Sequence, residues 1–325
     1  MPDLTSESGT VTSPRLGRWI VLLLVLTAGV NLLLVLLGGG VGKLLATVEG
    51  LPLGFWPLAI AILLAAYLIS FSRWQWYLSR LGQAPPLLAS LRIFLAGYAL
   101  IASPGRAGEG VRSLILHRDY GLSRRATLGA MLCERICDLS SALLIFGLGW
   151  IARGGSVLPL LAVLVTSIAL PQLAAPLLHR LRRWLKPGSK RDRTVEHLAL
   201  LLDSARQLLK PLPLLVGIGL SLLMWSVEGA LLQLLFRSLG AAIDGLGATV
   251  IRAAIGLGGI LTLLPGGVGG AEATGLLLAR SYGASMEQAI AATLIIRALT
   301  LWFPIGLGCL ALGHLQLSVD RSPRQ

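Results

Sequence analysis

From Leu261 to Glu272 a long apolar run breaks at L-T-L-L-P-G-G-V-G-G-A-E and then resumes. Lipid cannot hydrogen-bond a freed backbone, so irregular chain at membrane depth persists only where it is buried in protein or lines a wet cavity. Gly266, Gly267, Gly269 and Gly270 let the backbone turn tightly and approach a ligand. The segment resuming at Ala271 offers a helix N-terminus suited to an anion, and Glu272 places a charge in its first turn. A plain helix kink needs one Pro or Gly and no acid. The break after Pro265 therefore reads as a binding element as well as a bend.

Composition agrees with that setting. With 55% hydrophobic residues, 13% charged and a mean hydropathy of +0.78, the chain of 325 residues reads as an all-α polytopic membrane protein. Its net charge of +13 then marks cytoplasmic loops, and no aromatic-basic interleaving points to nucleic acid. Cys133, Cys137 and Cys309 fall in apolar segments as small hydrophobes. His117, His179, His197 and His314 lack ligand spacing, so neither a metal site nor another cofactor is expected.

In chain order, residues 1–17 form a polar N-terminus expected to be disordered and cytoplasmic. Apolar spans follow near 19–37, 55–71, 126–151, 157–178, 211–236 and 288–311, with a single transmembrane domain over 18–314 and a tail at 315–325. Arg73, Trp74, Trp76 and Tyr77 read as an interfacial belt closing the second span. Two shorter apolar stretches, broken at Pro104–Gly110 and at Pro265–Gly270, are expected to be re-entrant hairpins. Six full spans with two hairpins put Arg15 and Arg18, the 180–210 loop and the C-terminal tail on one side, which the positive-inside rule makes cytoplasmic.

The hairpins resemble each other. Tyr120-Gly121-x-Ser123 recurs as Tyr282-Gly283-x-Ser285, Arg135 as Arg297 and Gly97 as Gly259, all at one interval, with Pro104 and Pro265 a residue short of it. In units at about 87–152 and 247–313, three spans separate the first hairpin from the second, and an odd number inverts the topology. Such inverted repeats put a substrate site near the midplane, between broken elements. Intramembrane charges follow each break. Glu134, Arg135 and Asp138 share a helix, where each isolated charge costs about 2.5–3.5 kcal/mol at the centre. They read either as a site or as an internal salt bridge. Arg297 needs a partner from Glu272, Glu228 or a substrate, and Glu228 is a proton-coupling or a structural group. Arg106, Glu109 and Arg112 suit a phosphate or anionic lipid at the surface.

These residues also carry a resemblance. P-x-R-x-G-E-x-x-R (Pro104, Arg106, Gly108, Glu109, Arg112), E-R-x-x-D (Glu134, Arg135, Asp138) and P-G-G-x-G-x-x-E (Pro265, Gly266, Gly267, Gly269, Glu272) resemble the three signatures of the flippase-like domain family. That family includes the transmembrane part of lysylphosphatidylglycerol synthases and stand-alone members linked to hopanoid or polyprenyl-glycolipid pathways. Arg106 stands where lysine is frequent, and Ala271 where an arginine is frequent, which removes one cationic contact. The resemblance implies that these residues, with Arg297, bind substrate, and it implies no attached synthase activity.

The resulting expectation is a non-enzymatic carrier in the bacterial cytoplasmic membrane, with both termini cytoplasmic. It moves a lipid with a polar or anionic headgroup between leaflets; its partners are membrane lipids, with a lipid-biosynthesis enzyme or glycosyltransferase as a candidate. Two other classes remain open: an ion-coupled solute transporter using Glu228 and Glu272, and a membrane-embedded lipid-modifying transferase.

Overall fold

A computed structural model describes residues 40–103, 108–262 and 264–320, with scattered positions between 25 and 36. Most of the expected first span, Pro104, Arg106 and the extreme termini lie outside the described residues. Among the described residues every regular element is a helix. They are α1 (Gly40–Glu49), α2 (Phe55–Arg80), α3 (Leu87–Gly97), α4 (Val111–Tyr120), α5 (Arg124–Ala152) and α6 (Leu158–Arg182). The chain continues through α7 (Lys190–Ser204), α8 (Pro211–Ser238), α9 (Gly245–Leu261), α10 (Gly270–Ser281), α11 (Met286–Arg297) and α12 (Phe303–Asp320).

Four stretches are long and apolar enough to cross a membrane: α2, α5, α8 and the α11–α12 run over Met286–Leu315. A fifth is α6, if its halves, bent by 45° where Pro171 removes a backbone donor, count as one span. The protein is thus a multi-pass helical membrane protein. α3 and α9 are shorter apolar helices that end at the two breaks.

α8 sits at the centre, packed on α2, α5 and α9. Small residues make that possible. A Cβ at Gly217 would sit 2.8 Å from Cys137 Sγ of α5, and one at Gly256 would meet the Trp225 ring of α8 at 2.5 Å. The expected aromatic belt is corrected here. Trp74 and Tyr77 are fully buried in the core and Arg73 is 2% exposed, because α2 runs on to Arg80 and carries them into the bundle.

The two broken units share one sequence of elements. Each has a short helix, a break, a second short helix, a turn with a positive-φ glycine, and a longer helical run. Ser123 accepts from the Ala126 N–H at 3.3 Å and Ser285 from the Gln288 N–H at 3.1 Å, so the recurring Tyr-Gly-x-Ser string is a helix end followed by an N-cap. Gly97 and Gly259 are both close-approach positions. A Cβ at Gly97 would meet Arg112 Nε at 2.5 Å, and one at Gly259 would meet Gly267 Cα at 3.3 Å.

The last run is not a uniform α-helix. A π turn, Ala298–Trp302, follows Arg297 directly. Pro304 lacks the N–H that would bond the Thr300 carbonyl, so the ladder slips there.

Candidate functional site

The breaks meet each other. Gly266 N–H donates to the Ala102 carbonyl at 2.6 Å, a backbone bond from one break to the other. Gly266 (φ 62°) and Gly267 (φ 68°) take left-handed backbone inside the 3₁₀ turn Pro265–Gly267. A Cβ at Gly267 would lie 2.5 Å from Gly259 Cα, so this position requires glycine on two counts. Gly108 is equally confined: its N–H donates to Ser103 Oγ at 2.6 Å, and a Cβ would meet Leu100 Cβ at 2.5 Å.

Beside the junction lies a cavity of about 350 Å³ walled by α2, α3, α5, α8, α9, both breaks and the α11–α12 run. Five arginines line it, Arg73, Arg112, Arg135, Arg252 and Arg297. Burial of a charge is tolerated only with a partner, and each has one. Arg73 reaches Asp138 at 2.7 Å and Glu134 at 3.7 Å, and donates to Ser221 Oγ. Arg112 pairs with Glu109 and, at 3.5 Å, with Glu134; its guanidinium carbon stands 4.7 Å from the Phe94 ring centroid. Arg135 approaches Asp138 at 3.3 Å and Glu109 at 3.8 Å. These six charges form one network across α2, α4, α5 and the first break.

The second break carries its own pair. Arg297 Nε donates to Glu272 Oε1 at 2.8 Å and its Nη2 to the Gly266 carbonyl at 2.5 Å. Glu272 Oε2 in turn accepts from the Gly269 N–H at 2.8 Å. The helix N-terminus expected to receive an anion is therefore capped by the protein's own carboxylate. Arg252 and Glu228 form a separate pair at 2.5 Å, joining α9 to α8, with the Arg252 guanidinium 5.1 Å from the Trp225 centroid.

The structure brings together Gly108, Glu109, Arg112, Glu134, Arg135, Asp138, Gly266, Gly267, Gly269, Glu272, Arg297 and Glu228, with Pro265 in the turn among them. Arg297 takes Glu272 among its three expected partners, and Glu228 takes Arg252. Sequence reasoning missed Arg73 and Arg252, along with the polar side chains of Ser221 and Trp225 that bind Asp138. Arg252 had a signal, a lone cation inside the apolar 248–261 run. Arg73 had none, because its neighbours Trp74, Trp76 and Tyr77 imitate an interfacial belt. The three cysteines are free thiols, two of them buried, and among the described residues no cluster of metal-ligating side chains occurs.

Fold and site together define a polytopic helical membrane protein with an ion-paired cavity inside the bundle, built from two chain breaks. A family model described as "Lysylphosphatidylglycerol synthase TM region" matches residues 19–308, so the chain belongs to that family. Among curated proteins no sequence matches the chain.

Proposed function

We propose that the protein carries a lipid with a polar or anionic headgroup across the bacterial cytoplasmic membrane, and that it does so without covalent chemistry. The observation that supports this best is the cavity itself: four buried arginines, the partly exposed Arg135 and their carboxylates, at the meeting point of two chain breaks, inside a bundle of membrane-length helices. Charges held at membrane depth mark substrate pathways. In this reading the headgroup enters the cavity while the acyl chains stay in lipid. The two units, alike in element order and turn chemistry, act as an inverted repeat of re-entrant hairpins among six spans, with both termini cytoplasmic. Their shared device supports it: Arg135 reaches Glu109 at 3.8 Å and Arg297 reaches Glu272 at 2.8 Å, each an arginine of the following helix turned to the glutamate of its own break.

The test is inward movement of acyl-labelled lipids in proteoliposomes, with the lipid mass recorded before and after. The variant to compare is Arg135→Ala, since its side chain is 33% exposed and is the most open cation of the network. Transport by wild type, loss in the folded variant and unchanged lipid mass are expected. A changed lipid mass would establish a transferase instead. No lipid movement, with a proton-driven solute flux sensitive to Glu228→Gln, would establish the solute carrier.

A further inference from the structure

The corner between α6 and α7 keeps its outer cations unpaired. Its three acids are taken internally: Asp192 and Glu196 by Arg182, each at 2.9 Å, and Asp203 by His179 at 2.8 Å. Arg180, Arg183, Lys186, Lys190, Arg191 and Arg193 are all exposed, and none of them meets a carboxylate among the described residues. Lys190, Arg191 and Arg193 moreover stand in the first turn of α7, the helix end whose dipole disfavours cations. Cations set against their own helix suit an anion from outside the chain.

The corner also lies at the edge of the membrane-length helices. Leu173, Leu177, Leu181 and Trp184 follow one another at helical spacing and are all exposed, Trp184 by 84%, so an apolar stripe runs down the last turns of α6 and ends on tryptophan. In a membrane protein such a stripe faces lipid, and a tryptophan at its end suits the headgroup level. α7 is tied to the same level. Ser204 Oγ donates to the Arg125 carbonyl at 2.9 Å, in the first turn of α5, and α8 begins soon after at Pro211. Basic residues that only marked one side of the membrane would need neither an exposed tryptophan among them nor acids drawn away from the surface.

We infer that the α6–α7 corner docks on anionic phospholipid headgroups of the surrounding bilayer, with Trp184 seated at the interface and the six cations gathering phosphates around it. This platform is separate from the cavity and does not depend on what the cavity carries.

The experiment reconstitutes the full chain in symmetric phosphatidylcholine vesicles that contain equal mole fractions of acyl-brominated phosphatidylglycerol or acyl-brominated phosphatidylcholine. Bromine quenches nearby indoles, and the share of Trp184 is the difference between wild type and Trp184→Phe. Quenching of that share by the anionic lipid should exceed quenching by the zwitterionic one by about twofold or more. The excess should vanish near 1 M salt, where the Debye length is about 3 Å. The variant R180Q/R183Q/K186Q/K190Q/R191Q/R193Q keeps Arg182 and its two carboxylates, and should be quenched equally by both lipids. Equal quenching in wild type overturns the inference and leaves an interfacial tryptophan without lipid preference. An excess that survives in the six-fold variant overturns the role of these cations. Quenching by neither lipid puts the corner in water, overturns the inference and turns the search to an acidic soluble partner.

Discussion

The pair between Arg297 and Glu272 should be strongly coupled, and a double-mutant cycle can read that coupling. Both side chains are buried, at 8% and 2% exposure, with Nε and Oε1 2.8 Å apart. Removing one member of a buried pair leaves the other charge without compensation and costs about 3–5 kcal/mol. Glu272→Gln is the better single change, because a glutamine oxygen still accepts the Gly269 N–H that Glu272 now receives at 2.8 Å. Glu272→Ala loses that bond too and should cost about 1 kcal/mol more, the worth of a helix cap. Arg297→Gln gives up both the carboxylate and the Gly266 carbonyl. Each glutamine variant should therefore lose roughly 3 kcal/mol, and the double variant should fall short of the sum by about 2–3 kcal/mol. Equilibrium unfolding in mixed micelles measures all four corners. Additive single losses would refute the reasoning, since they would mean that the two groups hold the break independently.

Three further outcomes follow from local geometry and chemistry. Gly267→Ala meets both a left-handed φ of 68° and the Gly259 backbone, whereas Gly269→Ala meets a φ of 80° with open space around it. The second should cost about 1–2 kcal/mol from conformation alone and the first clearly more, as read from thermal unfolding in micelles. At the α6–α7 turn, the Gly188 N–H and then Arg182, both at 2.9 Å, hold the Asp192 carboxyl below the usual carboxylate range. A depressed value stabilises above the unfolded value, and that stability disappears as pH falls through the folded one. Proteolysis of the 183–204 segment should accordingly rise on acidification in wild type, and Asp192→Asn should be cleaved readily at every pH.

Much of this fold was legible because the sequence signals were redundant. Apolar length gave four of the six expected spans, and a fifth if the bent α6 is counted, and the structure extends them by a few residues where polar ends such as Arg124 and Ser238 still carry helical hydrogen bonds. The Pro-Gly strings gave the breaks. The Tyr-Gly-x-Ser repeat marked a C-terminal glycine and an N-cap serine, both set by local chemistry and so readable locally. Tertiary burial was not readable in the same way. Arg73 lies beside Trp74, Trp76 and Tyr77 at the end of an apolar run, a composition that suits an interface and a packed helix equally. What decides is the depth of α2 in the bundle, set by its packing on α8 through residues far away in sequence, among them Ser221.

The hidden residues change the electrostatic meaning of the visible ones. Arg112, Arg135 and Arg297 taken alone suggest a cationic site waiting for an anion. With Arg73 and Arg252 in place, and with Glu109, Glu134, Asp138, Glu228 and Glu272 set against them, each of these arginines already faces a carboxylate among the described residues. Burial enforces that pairing, because an unpaired charge in the bundle would cost about 3–5 kcal/mol, a large share of an ordinary protein's stability. The pairs are nevertheless uneven in tightness. Arg297 is held at 2.8 Å and Arg73 at 2.7 Å, while Arg135, the counterpart of Arg297 in the first unit, is held at 3.3 Å and is the most open to the cavity. One repeat thus has its arginine locked onto its own break, and the other presents its arginine to whatever enters. On the proposed transport reading, that asymmetry is what a carrier held in one of two alternating states would display, and the opposite state would close the looser pair and open the Arg297–Glu272 pair.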